Sequence, residues 1–117
     1  MNTVTLGVSS RDAVKDRFMR AMQGEKQGNL ITFETIELLL KVLTLKRWDI
    51  LRALTGVGPV SIREAARRVN RDVKAVHGDV TALLNAGILQ KEDNKIVFPY
   101  DQVHVDFTLE AAEKKSA

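Results

Sequence analysis

The residues best suited to recognition chemistry lie between positions 71 and 78. Arg71, Lys74, Ala75 and Gly78 recur three or four positions apart, which places them on one face of a helix. A guanidinium and an ammonium can donate hydrogen bonds to phosphate oxygens and to guanine O6 and N7, and a small side chain allows close approach. The spacing therefore predicts a helix face that meets a nucleic-acid groove, with Ala75 able to touch a thymine methyl group.

Further candidate contacts surround this face. We expect His77 to donate a hydrogen bond to a phosphate or to a structural partner. The arginines of the preceding segment are expected to reach phosphates or to pair with Glu64 or Asp79, and the helix amides that follow Ser61 can also receive a phosphate. The complete candidate set is Ser61, Arg63, Arg67, Arg71, Lys74, Ala75, His77, Gly78, Lys91, Asn94 and Lys95.

Two short amphipathic helices must position these residues. Ser61 and Glu64 form a capping-box signature at the start of the first helix. After a polar break at 70–72, a second helix is predicted over 72–86, and Gly87 supplies its left-handed end. The apolar stripe of the second helix is Val73, Val76, Val80, Leu83 and Leu84. This order is typical of a helix-turn-helix, whose second helix enters the major groove.

The flanking segments predict the rest of the domain. Residues 1–29 are interpreted as an N-terminal arm, with an extended or disordered lead and then one helix. Within the arm, the lead covers about 1–8 and the helix about 10–23. A short β-prone piece follows at about 30–33, and two helices follow at about 35–43 and 45–55. After the two helices described above, a hairpin is predicted at about 88–98 and a last strand at about 102–109. Leu40 and Leu45 are expected to face inward.

The predicted fold class is α+β, mainly α with a small β wing. It is a winged helix-turn-helix over residues 30–110 with an N-terminal helical arm, and residues 111–117 form a flexible tail. The wing carries Lys91, Asn94 and Lys95 near its tip, where they can reach backbone phosphates or the minor groove.

Three stretches of the chain resemble a known family. Residues 43–54 (LTLKRWDILRAL), 61–89 and 97–107 are similar to the winged helix-turn-helix transcriptional regulators of bacteria and archaea, which are related to the MarR and ArsR groups. The resemblance implies a small, usually dimeric DNA-binding regulator. It also implies an alternative, because some such proteins are antitoxins that neutralise the product of a neighbouring toxin gene.

Composition limits the function classes. With no cysteine among 117 residues, disulfides, thiol catalysis and cysteine-based zinc sites are excluded. The pairs His77/Asp79 and His104/Asp106 offer too few ligands for a metal site, no triad or carboxylate pair predicts an enzyme, and no cofactor is expected. The absence of a signal peptide and of a membrane-spanning run predicts a cytoplasmic protein without membrane association.

The net charge of +3 is unevenly distributed. Residues 41–74 hold nine cationic and three acidic side chains, whereas the chain from Glu92 onward holds six acids and three lysines. This asymmetry indicates one face for a polyanion and another region for a different contact. We therefore expect a dimeric (auto)repressor that binds double-stranded DNA. The alternative is an antitoxin that binds a cognate toxin and autoregulates its operon.

Overall fold

The computed structural model describes residues 2–8 and 29–108, and this part of the chain is an α+β protein with four helices and two small sheets. The arm helix predicted over 10–23 and the tail over 111–117 lie outside the described residues. The elements in chain order are β1 (Thr3–Val8), β2 (Asn29–Phe33), α1 (Ile36–Val42), α2 (Leu45–Leu54), α3 (Ile62–Val69), α4 (Val73–Asn85), β3 (Gln90–Glu92), β4 (Lys95–Val97) and β5 (Gln102–Asp106).

All four described helices begin at a side-chain N-cap. A hydroxyl or carboxylate oxygen accepts a hydrogen bond from a backbone N–H of the first turn, and thereby satisfies a donor that the helix itself cannot. The capping residues are Thr35, Thr44, Ser61 and Asp72. The helices predicted over 35–43, 45–55 and 72–86, and the one starting after Ser61, are thus confirmed to within one or two residues.

The first residues of the chain are extended, which was one of the two expected alternatives, but they form a paired strand of the domain and not part of a separate arm. β1 is the middle strand of a parallel sheet with the order β2-β1-β5, and its Val4 and Leu6 are fully buried. Asn2 fastens this strand, because its Nδ2 donates to the Pro99 carbonyl at 2.6 Å and its carbonyl accepts from Asp101 N at 2.7 Å. Residues 2–8 therefore belong to the same folded unit as residues 30–108.

The second sheet is the hairpin of β3 and β4. Its two strands pair in antiparallel fashion, and Val60, just before α3, pairs with Ile96 through two backbone hydrogen bonds of 2.9 and 2.8 Å. Ile88, Ile96 and Phe98 are buried against the helices. The predicted hairpin is confirmed, and it is attached to the start of α3.

Three apolar side chains that were expected to face inward are exposed instead. Leu40, Leu45 and Val73 have exposed fractions of 60%, 75% and 42%. Leu45 and Val73 are the first residues of their helices, and α1 spans only seven residues, so its buried side is limited to Leu39. Terminal positions of a helix lie beyond the neighbouring element that covers its middle, which periodicity alone does not reveal.

Candidate nucleic-acid interface

A three-residue connection joins α3 to α4. Asn70 adopts a left-handed conformation with φ of 55°, and its N–H donates to the Ala66 and Arg67 carbonyls. Asp72 then caps α4 by accepting from Lys74 N at 3.0 Å and Ala75 N at 3.3 Å. Because both ends are fixed by local hydrogen bonds, the connection holds the two helices in a defined relation. At the far end of α4, Gly87 has φ of 77°, as predicted.

The side of α4 that faces solvent forms one continuous strip. Lys74, Gly78, Thr81 and Asn85 recur at helical spacing and are all exposed, and we call this strip the α4 outer face. Ala75 and His77 flank it and are also exposed. A Cβ added at Gly78 would meet no other atom within 4 Å. Sequence reasoning missed Thr81 and Asn85, although their spacing from Lys74 and Gly78 could have identified them.

Arg71 does not lie on the α4 outer face, contrary to the prediction. Its Nη2 donates to Asp79 Oδ2 at 2.8 Å, and its side chain is only 19% exposed. Arg47 of α2 donates from Nε to the other oxygen, Oδ1, at 3.1 Å, and from Nη1 to the Val42 carbonyl at 2.9 Å. These three side chains form what we call the Asp79 bracket, which connects α2 and the α3–α4 connection to α4. The carboxylate of Asp79 holds Arg71 inward.

The two arginines of the Asp79 bracket favour the ionised form of the Asp79 carboxyl. Partial burial acts to raise the pKa of this carboxyl, but the hydrogen bonds and positive charges of Arg71 and Arg47 outweigh burial and lower its pKa below the ordinary value. Asp79 is the one acidic residue within α4. Its charge is therefore present at neutral pH, is directed away from the α4 outer face, and is compensated by two guanidinium groups.

Four predicted site residues come together around one depression of the surface. Ser61, Arg63, Arg67 and Arg71 line it, together with Glu64 and other residues of α3 and the start of α4. Arg63 lies in the first turn of α3, where backbone N–H groups also favour anions, and Arg67 lies in the last turn of the same helix. A phosphate oxygen is the kind of ligand that such a surface attracts.

Glu64 partly compensates the charge of this depression. Its carboxylate accepts from Arg67 Nε at 2.8 Å and from Arg68 Nε at 2.9 Å, and these bonds lower the pKa of Glu64 to about 2. The predicted capping box is therefore formed in one direction, since Ser61 Oγ accepts from Glu64 N while the Glu64 side chain binds the two arginines. Pairing of Arg67 and Arg68 with Glu64 was one of the expected alternatives.

The predicted contacts of the hairpin lie in a region of mixed charge. Lys91, Asn94 and Lys95 are exposed, as expected. However, Glu92 and Asp93 occupy the same tip, and Asn94 and Lys95 line a shallow depression with them. The hairpin therefore carries as many acidic as basic side chains, and the positive surface is concentrated on α3 and the start of α4.

The described residues give no indication of a metal centre or of a membrane span. Within 2–8 and 29–108, no three histidine or acidic side chains come together in a way that could hold a metal ion. In the same residues no helix is both long and apolar enough to cross a bilayer.

Comparison with known protein families identifies a match. The sequence profile of the HVO_A0114 family matches residues 42–105, which is more than half of the chain and runs from the end of α1 into β5. No curated protein and no solved structure is significantly similar to the chain.

Proposed function

The chain belongs to the HVO_A0114 family, and we propose that it is a transcriptional regulator that binds double-stranded DNA as a dimer. In this proposal, the α4 outer face enters the major groove, and Arg63 and Arg67 of α3 contact the phosphates beside it. Repression would follow because a protein bound at a promoter excludes the polymerase.

The observation that carries the proposal is the chemistry of the α4 outer face. Its exposed side chains are a lysine, a threonine and an asparagine around a glycine, and the helix has no acidic side chain on this side. Lysine donates to guanine or phosphate, asparagine can bind adenine through two hydrogen bonds, and threonine contacts either a base edge or a thymine methyl group. An unbroken face of this kind suits a negatively charged groove.

The order of elements supports a winged-helix interpretation of the fold. α2 and α3 precede the exposed helix α4, and the β3–β4 hairpin follows it and pairs with Val60 at the start of α3. In helix-turn-helix proteins the second helix of the pair lies in the major groove while the first crosses the backbone. We propose the same roles for α4 and α3, with the hairpin as the wing.

We test the proposal with Lys74→Ala and a salt series. Fluorescence anisotropy measures binding to a duplex from upstream of the protein's own gene, with scrambled DNA as competitor. If the Lys74 ammonium of each protomer neutralises one phosphate, the variant dimer loses two such contacts, and the slope of log affinity against log salt becomes shallower by about 1.8. We expect the wild-type protein to resist the scrambled competitor and the variant to bind more weakly at every salt concentration.

Lys41→Ala is the matched control. Lys41 is an exposed lysine in the last turn of α1, so this variant loses the same side chain and charge on a different helix. We expect its salt slope to equal that of the wild type. Equal changes in both variants would mean that binding depends on net charge alone. Wild-type binding that scrambled DNA abolishes would contradict sequence-specific recognition.

The antitoxin alternative assigns the main function to protein binding. It requires a protein-binding surface on the N-terminal arm or the acidic C-terminal part, and most of the arm lies outside the described residues. Co-purification with the product of a neighbouring gene would support this function.

A further inference from the structure

The outer edge of β5 is the starting point for a further inference. β5 is the last strand in the order β2-β1-β5, and within the described residues no strand pairs with its other side. Four of its five residues are exposed, whereas four of the five residues of β2, at the opposite edge, are partly buried. An exposed edge presents backbone donors and acceptors that can pair with a further strand.

The side chains of β5 separate cleanly between its two faces. Val103 and Val105 lie beside Val4 and Leu6 of β1, on the face that packs against the core. Val105 is nevertheless 41% exposed, and Phe107, two residues later, is 46% exposed. On the opposite face, His104 and Asp106 are both exposed. The edge therefore combines an apolar face with an imidazole and a carboxylate, which can pair with each other.

We propose that β5 pairs in antiparallel fashion with β5 of a second copy, about a two-fold axis at Val105. In this register Val105 lies opposite its own copy, and His104 lies opposite Asp106 of the other chain, twice by symmetry. Both faces of the strand are then self-complementary, which a two-fold interface requires. A register one residue away would place the two histidines opposite each other and lose both imidazole–carboxylate pairs.

A groove beside β5 provides a second, independent element of complementarity. It has a volume of about 590 Å³ and is lined mainly by α2 and by the start of β5, with Leu45, Trp48 and Val103 among its residues. In the proposed register, Phe107 of the second copy lies opposite Val103, at the wall of this groove. Each exposed phenylalanine can therefore enter the groove of the other chain, and the exposed Leu45 would be covered by it.

A single cysteine tests the register. The chain contains no cysteine, so Val105→Cys can form a disulfide only with its own copy. Residues directly opposite in an antiparallel pair have Cα atoms about 4.5–5.5 Å apart, within the range of a disulfide. We expect Val105→Cys to give a covalent dimer under mild oxidation. Val57→Cys, at an exposed position after α2, is the control that should remain monomeric on a denaturing gel.

Sedimentation equilibrium without DNA measures how much individual residues contribute to the stability of the dimer. We expect His104→Asp to weaken the dimer by about tenfold, because it places like charges opposite each other twice. The double variant His104→Asp/Asp106→Lys places a carboxylate opposite an ammonium group at both positions and should recover the wild-type dissociation constant. Phe107→Ala should weaken the dimer by more than about tenfold as an anchor residue of the interface.

Several outcomes would overturn the inference. A wild-type protein that stays monomeric, or a disulfide that forms through His104→Cys but not through Val105→Cys, would reject the interface or its register. Failure of the double variant to recover dimerisation would reject the proposed His104–Asp106 pairing. The proposed interface rests on the proposal of a dimeric regulator and specifies how the two copies meet. Because these experiments contain no DNA, they can reject the interface without rejecting DNA binding, and the reverse also holds.

Discussion

At the scale of single residues, Asp79 joins two arginines from other parts of the chain to α4. Its two carboxylate oxygens accept from Arg71 and Arg47, and all three side chains are less than a quarter exposed. We predict that Asp79→Asn lowers the free energy of unfolding by about 2 kcal/mol, because two charged donors lose their ionised acceptor. Urea denaturation at pH 7 measures this loss. Asp49→Asn is the control, since its exposed contact with Arg52, at 3.9 Å, should contribute less than about 0.5 kcal/mol.

We also predict how the stability difference between the wild-type protein and Asp79→Asn depends on pH. Because the pKa of Asp79 is lowered in the folded state, its stabilisation is fully present above the unfolded pKa of about 3.9 and is lost as the pH falls through the folded pKa. The stability difference between wild type and Asp79→Asn should therefore be constant from neutral pH to about pH 5 and decrease in more acidic solution. A difference that persists undiminished in strong acid would argue against an ionic contribution.

At the scale of elements, α4 contains an exposed glycine, Gly78, that neither its backbone conformation nor its packing within the described residues requires. An alanine methyl group at position 78 would meet nothing within 4 Å, and alanine is about 1 kcal/mol more favourable than glycine inside a helix. We predict that Gly78→Ala raises the free energy of unfolding by about this amount.

The same variant should bind DNA more weakly if α4 enters a groove. An extra methyl at a close contact costs about 1–3 kcal/mol, which corresponds to at least a fivefold loss of affinity. Denaturation and anisotropy on one preparation measure both effects. A variant that is more stable and binds as tightly as the wild type would show that the helix does not approach DNA closely at Gly78.

At the scale of the whole molecule, the first strand and the last strand hold the fold together. Leu6 is fully buried on β1 and lies between Ile31 of β2 and Val105 of β5 in the sheet register. We predict that Leu6→Ala lowers the free energy of unfolding by about 3 kcal/mol, as expected for a leucine removed from a close-packed core.

Thermal and urea unfolding measure the effect of this truncation. Val57→Ala provides a comparison at an exposed site and should change stability by less than about 0.5 kcal/mol. If Leu6→Ala were as mild as Val57→Ala, the N-terminal strand would not be part of the cooperative unit.

Much of the described secondary structure could be predicted from the sequence. Helix α4 begins after a capping Asp72 and ends shortly before Gly87, and the hairpin turns at a polar tip. These signals are local, since capping, turn formation and amphipathic periodicity act over about four residues. For the same reason, the exposed positions Lys74, Ala75 and Gly78 were identified correctly as a solvent-facing part of α4.

Two features depended on contacts that the sequence does not display locally. The sequence of β1 alone does not show that it is a central strand. It becomes one because it pairs with β5, whose first residue lies 99 positions after Thr3. The spacing of Arg71 indicates a member of the α4 face, but its ion pair with Asp79, which also binds Arg47 of α2, holds it inward. The sequence by itself determined where helices, turns and the hairpin form, because short-range physics selects them. Only the tertiary structure decided which strand is central and which cation remains exposed, because burial and ion pairing join residues that are distant in the chain.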